Sequence, residues 1–217
     1  MIMLRRKNQE KSFRFYTRLH LRVLTGLKAS NIEELLGLVK KVPGSSIYYH
    51  THHFLQQHQH LSPEPPNDFA HWITNALNED VLGEKVASID TIQHHTIRSL
   101  RNEIIKTIED YIKEDPRVKL RFASPGKIFH FIKSISFILP TSHLAKNLRD
   151  FLSALKNISV DSIYFHMFEA RLRLDKETND FSFWLGTSLM EIELARKITS
   201  LDPYTYTMED LRKKLIG

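Results

Sequence analysis

The stretch Ser46-Ile47-Tyr48-Tyr49-His50 occurs twice, returning as Ser162-Ile163-Tyr164-Phe165-His166. A chain that repeats itself must be read as a repeat before anything else. With a constant offset of 116, residues 11–54 lie on residues 127–170 without a gap. Identical pairs include Phe13/Phe129, Phe15/Phe131, Thr25/Thr141, Asn31/Asn147, Ser46/Ser162 and His50/His166. After four extra residues in the first copy, the offset becomes 112. Asn67-Asp68-Phe69 then meets Asn179-Asp180-Phe181, and Trp72 meets Trp184. After one more deletion, Thr96 and Arg101 meet Thr207 and Arg212.

The period, roughly 110 residues, far exceeds the ~20–50 of solenoid repeats. Each copy is the size of a small domain. A duplicated chain commonly reproduces the symmetric interface of an ancestral dimer. The pattern therefore predicts two tandem repeats about an internal pseudo-two-fold axis. The expected organisation is a basic lead-in over 1–10, a first repeat over 11–115, a linker over 116–126 and a second repeat over 127–217, forming one compact unit.

The run from Ser46 to Leu55, the run from Ser62 to Ala70 and the run from Ser162 to Arg171 resemble an uncharacterised prokaryotic family of unknown function. The resemblance covers nearly the whole chain and implies no activity.

The periodicity within each copy predicts a mainly helical fold of the α+β class, with one short strand per repeat. Phe13, Phe15, Leu19, Leu21 and Val23 alternate with Arg14, Arg18, His20 and Arg22, which is strand spacing. Phe129, Phe131, Ile135, Phe137 and Leu139 alternate in the same way and stop at Pro140; Ile128, Ile132 and Ile135 also fit helical spacing, and a strand is the favoured reading. Helices are expected after Asn31 and Asn147, after Ser45 and Asp161, after Asn67 and Asn179, and after Thr96 and Thr207; each of these residue types caps a helix N-terminus well. Residues 56–67, rich in His, Gln and Pro, are expected as a surface loop.

The charge of +6 permits anionic partners without demanding them. There is no cysteine, so disulfides and thiolate chemistry are excluded, as befits a reducing cytoplasm. No run reaches the roughly 18 apolar residues of a membrane span, so no membrane insertion is expected. With seven glycines, the chain has no phosphate-binding loop, no dinucleotide fingerprint, no nucleophile elbow and no His-Glu-x-x-His motif.

Histidine is the residue type that invites chemistry. His50 and His53 are three apart and share a helical face; His166 and Glu169 are their counterparts. Convergence of these four across a repeat interface would make a zinc or iron site. Asp68 and Asp180 would orient the histidines, or simply start their helices. The competing reading makes His50 and His166 buried side chains with hydrogen-bond partners in the core. Arg171 and Arg173 are candidates for binding an anion, against the plainer reading of a solvated helix face. Two classes of function follow. The first is a non-catalytic binding or regulatory module with a protein or small-molecule partner. The second is a metal-dependent or histidine acid–base enzyme centred on His50, His53, His166 and Glu169. Binding of nucleic acid through the basic strand face is the weaker third, with no recognised module behind it.

Overall fold

The computed structural model describes residues 12–53, 67–91, 93–94, 96–170, 178–201 and 206–217. The chain is mainly helical with one two-stranded sheet. The strands are β1 (Phe13–Ala29) and β2 (Phe129–Ala145). The helices are α1 (Ile32–Val39), α2 (Gly44–Tyr48), α3 (Asp68–Leu77), α4 (Asp80–Ala87) and α5 (Ile97–Glu114), then α6 (Leu148–Asn157), α7 (Val160–Tyr164), α8 (Asp180–Ser188), α9 (Ile192–Thr199) and α10 (Met208–Ile216). Two π-turns, Tyr49–His53 and Phe165–Glu169, continue α2 and α7.

The strands are not short. Each runs 17 residues, against a usual five or six. Thr25 Oγ1 donates to the Phe131 carbonyl and Thr141 Oγ1 to the Phe15 carbonyl, at 2.7 and 2.9 Å. These bonds bring Phe15 beside Thr141 and Thr25 beside Phe131, which makes the pair antiparallel. β2 does not stop at Pro140. Ile132, eight residues before Pro140 on β2, gives its N–H to His50 outside the ribbon. Backbone groups turn inward and outward alternately along a strand of an antiparallel pair, so Pro140 faces outward as Ile132 does. Pro140 therefore sits where no ladder bond is lost, a position that tolerates proline.

The chain divides into a central unit, residues 20–136, and a terminal unit, residues 1–19 with 137–217. The borders differ from those of the sequence repeats, because both fall in mid-strand. In the central unit, Phe129 and Phe131 at the start of β2 pack with Ile32, Leu35, Ile47, Phe69, Ile73 and Leu100. In the terminal unit, Phe13 and Phe15 at the start of β1 pack with Phe151, Ile163, Phe181, Leu185 and Leu211. Each run of helices thus buries the aromatic half-strand that belongs to the other repeat of the sequence. Residues 116–126 form no free linker. They include two short 3-10 turns. The Ala123 N–H bonds to Ser30 O at 2.7 Å, Arg121 reaches Asn78 O at 3.1 Å, and Arg121 Nε pairs with buried Glu79 at 2.5 Å. Tyr111 donates to the same carboxylate at 3.0 Å; burial, then Glu79, pushes the Tyr111 hydroxyl pKa up.

Capping explains most helix starts. Asn31, Asn67, Thr96, Asn147, Asn179 and Thr207 each accept an N–H of the first turn of their own helix. Thr207 Oγ1 accepts the Asp210 N–H and donates to the Asp210 carboxylate. Two expected caps are corrected. α2 begins at Gly44 after Pro43, whose side chain cannot cap, and α7 begins after Ser159, which bonds the Ser162 N–H. Ser45 and Asp161 therefore lie one residue inside their helices.

Helices α3 and α8 both end on a left-handed residue, Asn78 (φ 55°) and Met190 (φ 60°). The next N–H closes back six residues, from Glu79 to Ile73 O and from Glu191 to Leu185 O. Asparagine tolerates this conformation and methionine does not. Met190 is exposed, so it offers no packing in return. Met190→Gly should raise unfolding stability by roughly 0.5–1 kcal/mol, read by urea denaturation.

Candidate functional site

The repeated Ser-x-x-x-His motif faces the outer edges of the ribbon. In the terminal unit, Ser162 Oγ donates to the Tyr16 carbonyl at 2.6 Å. Four residues on, His166 Nε2 accepts the Tyr16 N–H at 2.9 Å. One strand residue thus has its donor and acceptor met by two side chains, much as a neighbouring strand would meet them. His166 Nδ1 lies 2.7 Å from Asp180 Oδ2. In the central unit, His50 Nε2 accepts the Ile132 N–H at 2.9 Å, and its Nδ1 lies 2.6 Å from Asp68 Oδ2.

These contacts fix the tautomer. An Nε2 that accepts an N–H carries no proton, so Nδ1 bears the hydrogen and donates it to the carboxylate. Both rings are almost fully buried. His50 sits among Phe129, Phe69 and Phe131, with ring centroids 4.8 to 5.8 Å away. His166 sits among Phe13, Phe181 and Phe15, at 4.9 to 6.0 Å. Asp68 and Asp180 are the first residues of α3 and α8, where a carboxylate also complements the helix dipole. The preceding Asn67 and Asn179 are buried and reach across to the Val86 and Ile198 carbonyls, at 3.2 and 3.5 Å. Together they tie strand, π-turn and helix start into one polar connection inside an aromatic core.

The four candidate ligands behave differently. His50 and His166 have both ring nitrogens engaged, leaving no lone pair for a metal or a substrate proton. They also belong to different units. Glu169 is buried and pairs with the Arg18 guanidinium. The side chain of His53, and Arg171 and Arg173 entirely, lie outside the described residues. Among the described residues, no group of three or more His, Cys, Asp or Glu is placed to hold a metal ion.

The sequence leaves several of the participating residues without a role. Ser162, Arg101 and Arg212 all do specific work, and Asn67 and Asn179 do more than cap. Arg101 donates to the Val42 carbonyl at 2.6 Å, just beyond α1, and Arg212 to the Leu155 and Ile158 carbonyls at 2.6 and 2.8 Å, in the last turn of α6 and just beyond it. The available signal is that each is a polar residue held identical in both copies. Ser46 is the exception. Its hydroxyl is buried and has no partner. Ser162→Ala should therefore cost about 1 kcal/mol and Ser46→Ala close to nothing, in paired urea titrations.

His20, Ser134, Ser136 and His52, which differ from their counterparts, gather around the shared Tyr48 in a second cluster, in the central unit. His20 Nδ1 lies 2.9 and 3.0 Å from the Ser134 and Ser136 hydroxyls. The His20 ring stacks on Tyr48, which stacks on His52 at 5.5 Å and 6°. In the terminal unit Tyr164 stacks on Phe168 instead. Burial pushes the Tyr49 hydroxyl pKa up, and Arg22 works against that shift.

No helix among the described residues is long and apolar enough to cross a membrane. No curated protein matches the chain. Among solved structures, OrfY from Thermoproteus tenax is similar, at 26% identity and a TM-score of 0.78, over 94% of this chain and 92% of that one. A model described as a family of unknown function, DUF5752, matches residues 10–217, and the chain belongs to that family.

Proposed function

We propose that this chain is a non-catalytic binding module, built by internal duplication, in which the repeated residues hold the fold and the unshared residues carry recognition. The observation behind this reading is the state of the two histidines. Each joins a strand-edge N–H to a carboxylate and keeps neither nitrogen for chemistry. Most of the repeated polar residues are likewise taken up inside the fold: Thr25/Thr141, Asn31/Asn147, Asn67/Asn179, Asp68/Asp180 and Arg101/Arg212. A duplicated catalytic centre would instead keep some polar group unoccupied in both copies. The test is the metal content of purified, untagged protein, measured by mass spectrometry on wild type, His50→Ala and His166→Ala. The reading expects less than a tenth of a metal per chain in all three, with both variants less stable. About one metal per wild-type chain, lost in the variants while the fold persists, would overturn it in favour of zinc or iron bound at His50 and His166.

A further inference from the structure

The ribbon has two outer edges. Alternation along β1 turns Leu24 to the same edge as Tyr16, eight residues before it, and alternation along β2 turns Pro140 to the same edge as Ile132. Three of these four residues are closed. Tyr16 is met by His166 and Ser162. Ile132 has its N–H taken by His50. Pro140 has no N–H to offer. The fourth is Leu24, in the central unit, with its backbone turned outward by that alternation. The residue is 70% exposed, and Arg22, Gly26 and Lys28, which alternate with it along β1, are exposed as well. No hydrogen bond from outside the ribbon reaches the Leu24 backbone among the described residues. The position equivalent to Leu24 in the other repeat is Pro140, so the corresponding edge is blocked there.

We infer that the edge of β1 from His20 to Thr25 receives an extended acidic peptide segment from a partner protein, added as a third strand. Three observations select that occupant. An open edge offers alternating donors and acceptors at peptide spacing, which an extended chain matches. Neither strand contains a carboxylate: besides Arg18, whose charge is met by Glu169, β1 carries Arg14, Arg22 and Lys28, and β2 carries Lys133. A second copy of β1 would bring like charges together, the usual guard against edge-to-edge pairing, whereas an acidic strand is attracted. Leu21, Leu24 and Leu27 are exposed on this half of β1 and give apolar side chains a surface to cover. Gly26, at φ 79°, ends the regular stretch, so the docked segment is about six residues long. This inference rests on the binding-module reading, but the metal measurement is blind to it, so either can fail alone.

The experiment titrates the full chain against a fluorescent octapeptide of alternating Val and Glu, its Val/Lys counterpart, and single-stranded oligo(dT). The Val/Glu peptide should bind at least tenfold more tightly than the other two. Leu24→Pro, which copies the block already present at Pro140, should weaken it at least tenfold with the unfolding curve unchanged. Lys28→Glu, which leaves the backbone alone, should weaken it at least threefold. Absence of Val/Glu binding up to millimolar concentration overturns the inference. So does binding that survives Leu24→Pro, or tighter binding of oligo(dT). A concentration-dependent dimer abolished by Leu24→Pro would also overturn it, by assigning the edge to a second copy.

Discussion

His50→Ala and His166→Ala should each lower unfolding stability by about 3 kcal/mol, read as a shift of the urea midpoint. The size follows from what each substitution leaves behind. The Ile132 or Tyr16 N–H loses its acceptor, Asp68 or Asp180 loses its donor, and a ring-sized gap opens among three phenylalanines. A buried group stripped of its partner costs ~1–3 kcal/mol, and the gap adds to that. His50→Asn should recover little, because the shorter side chain cannot span N–H and carboxylate together. Asp68→Asn should cost less than His50→Ala, since Asp68 stays partly exposed and an amide oxygen still accepts. A histidine that served only catalysis would give the opposite pattern: unchanged or raised stability in the alanine variants.

Gly83→Ala should destabilise the chain by about 1–2 kcal/mol, and Thr74→Gly should remove most of that cost. Helices α3 and α4 pack so closely that a Cβ at Gly83 would collide with the Thr74 hydroxyl and lie 3.2 Å from the Thr74 Cβ. The terminal unit solves the same contact the other way round. Gly186 occupies the place of Thr74, and Ala195 that of Gly83; a Cβ at Gly186 would lie 3.4 Å from the Ala195 Cβ. One small residue per helix pair is needed, on either helix. The double variant Thr74→Gly with Gly83→Ala therefore imports the terminal unit's arrangement. Its helix-propensity changes, a gain of about 1 kcal/mol at residue 83 and a loss of roughly 0.4 kcal/mol at residue 74, drop out of a double-mutant cycle, which isolates the steric coupling. A cycle with no coupling would mean that the Thr74 side chain simply rotates away.

The alternation of Phe13, Phe15 and Phe129, Phe131 with polar residues made the strands legible, and the asparagine and threonine caps announced most helix starts. Strand length was not legible. Pro140 looks like a stop, yet an outward-facing edge position loses nothing to a missing N–H. Nor could the sequence show that Phe13 and Phe15 pack with Phe151 and Phe181, because the repeat aligns each strand with the helices that follow it, and the choice between its own and the other set depends on long-range packing. The histidines were conspicuous, but their meaning was not. The i to i+3 spacing of His166 and Glu169 suggests a shared site, while in the structure each takes a different partner, Asp180 and Arg18. Asp68 reads from sequence as a helix start or an orienting group; it occupies the first position of α3 with its Oδ2 2.6 Å from His50 Nδ1. The open edge at Leu24 becomes visible only when its backbone direction is followed along β1 from Tyr16.

The most direct test of the account is a nitrogen–nitrogen scalar coupling across the hydrogen bond, measured by NMR on uniformly 15N-labelled protein. The account predicts a resolved coupling between the Tyr16 amide nitrogen and His166 Nε2, and a second between the Ile132 amide nitrogen and His50 Nε2, with both Nε2 atoms unprotonated. Couplings absent at both pairs, with Nε2 protonated or shifted by added zinc while the protein stays folded, would contradict it and return the histidines to the list of chemical groups.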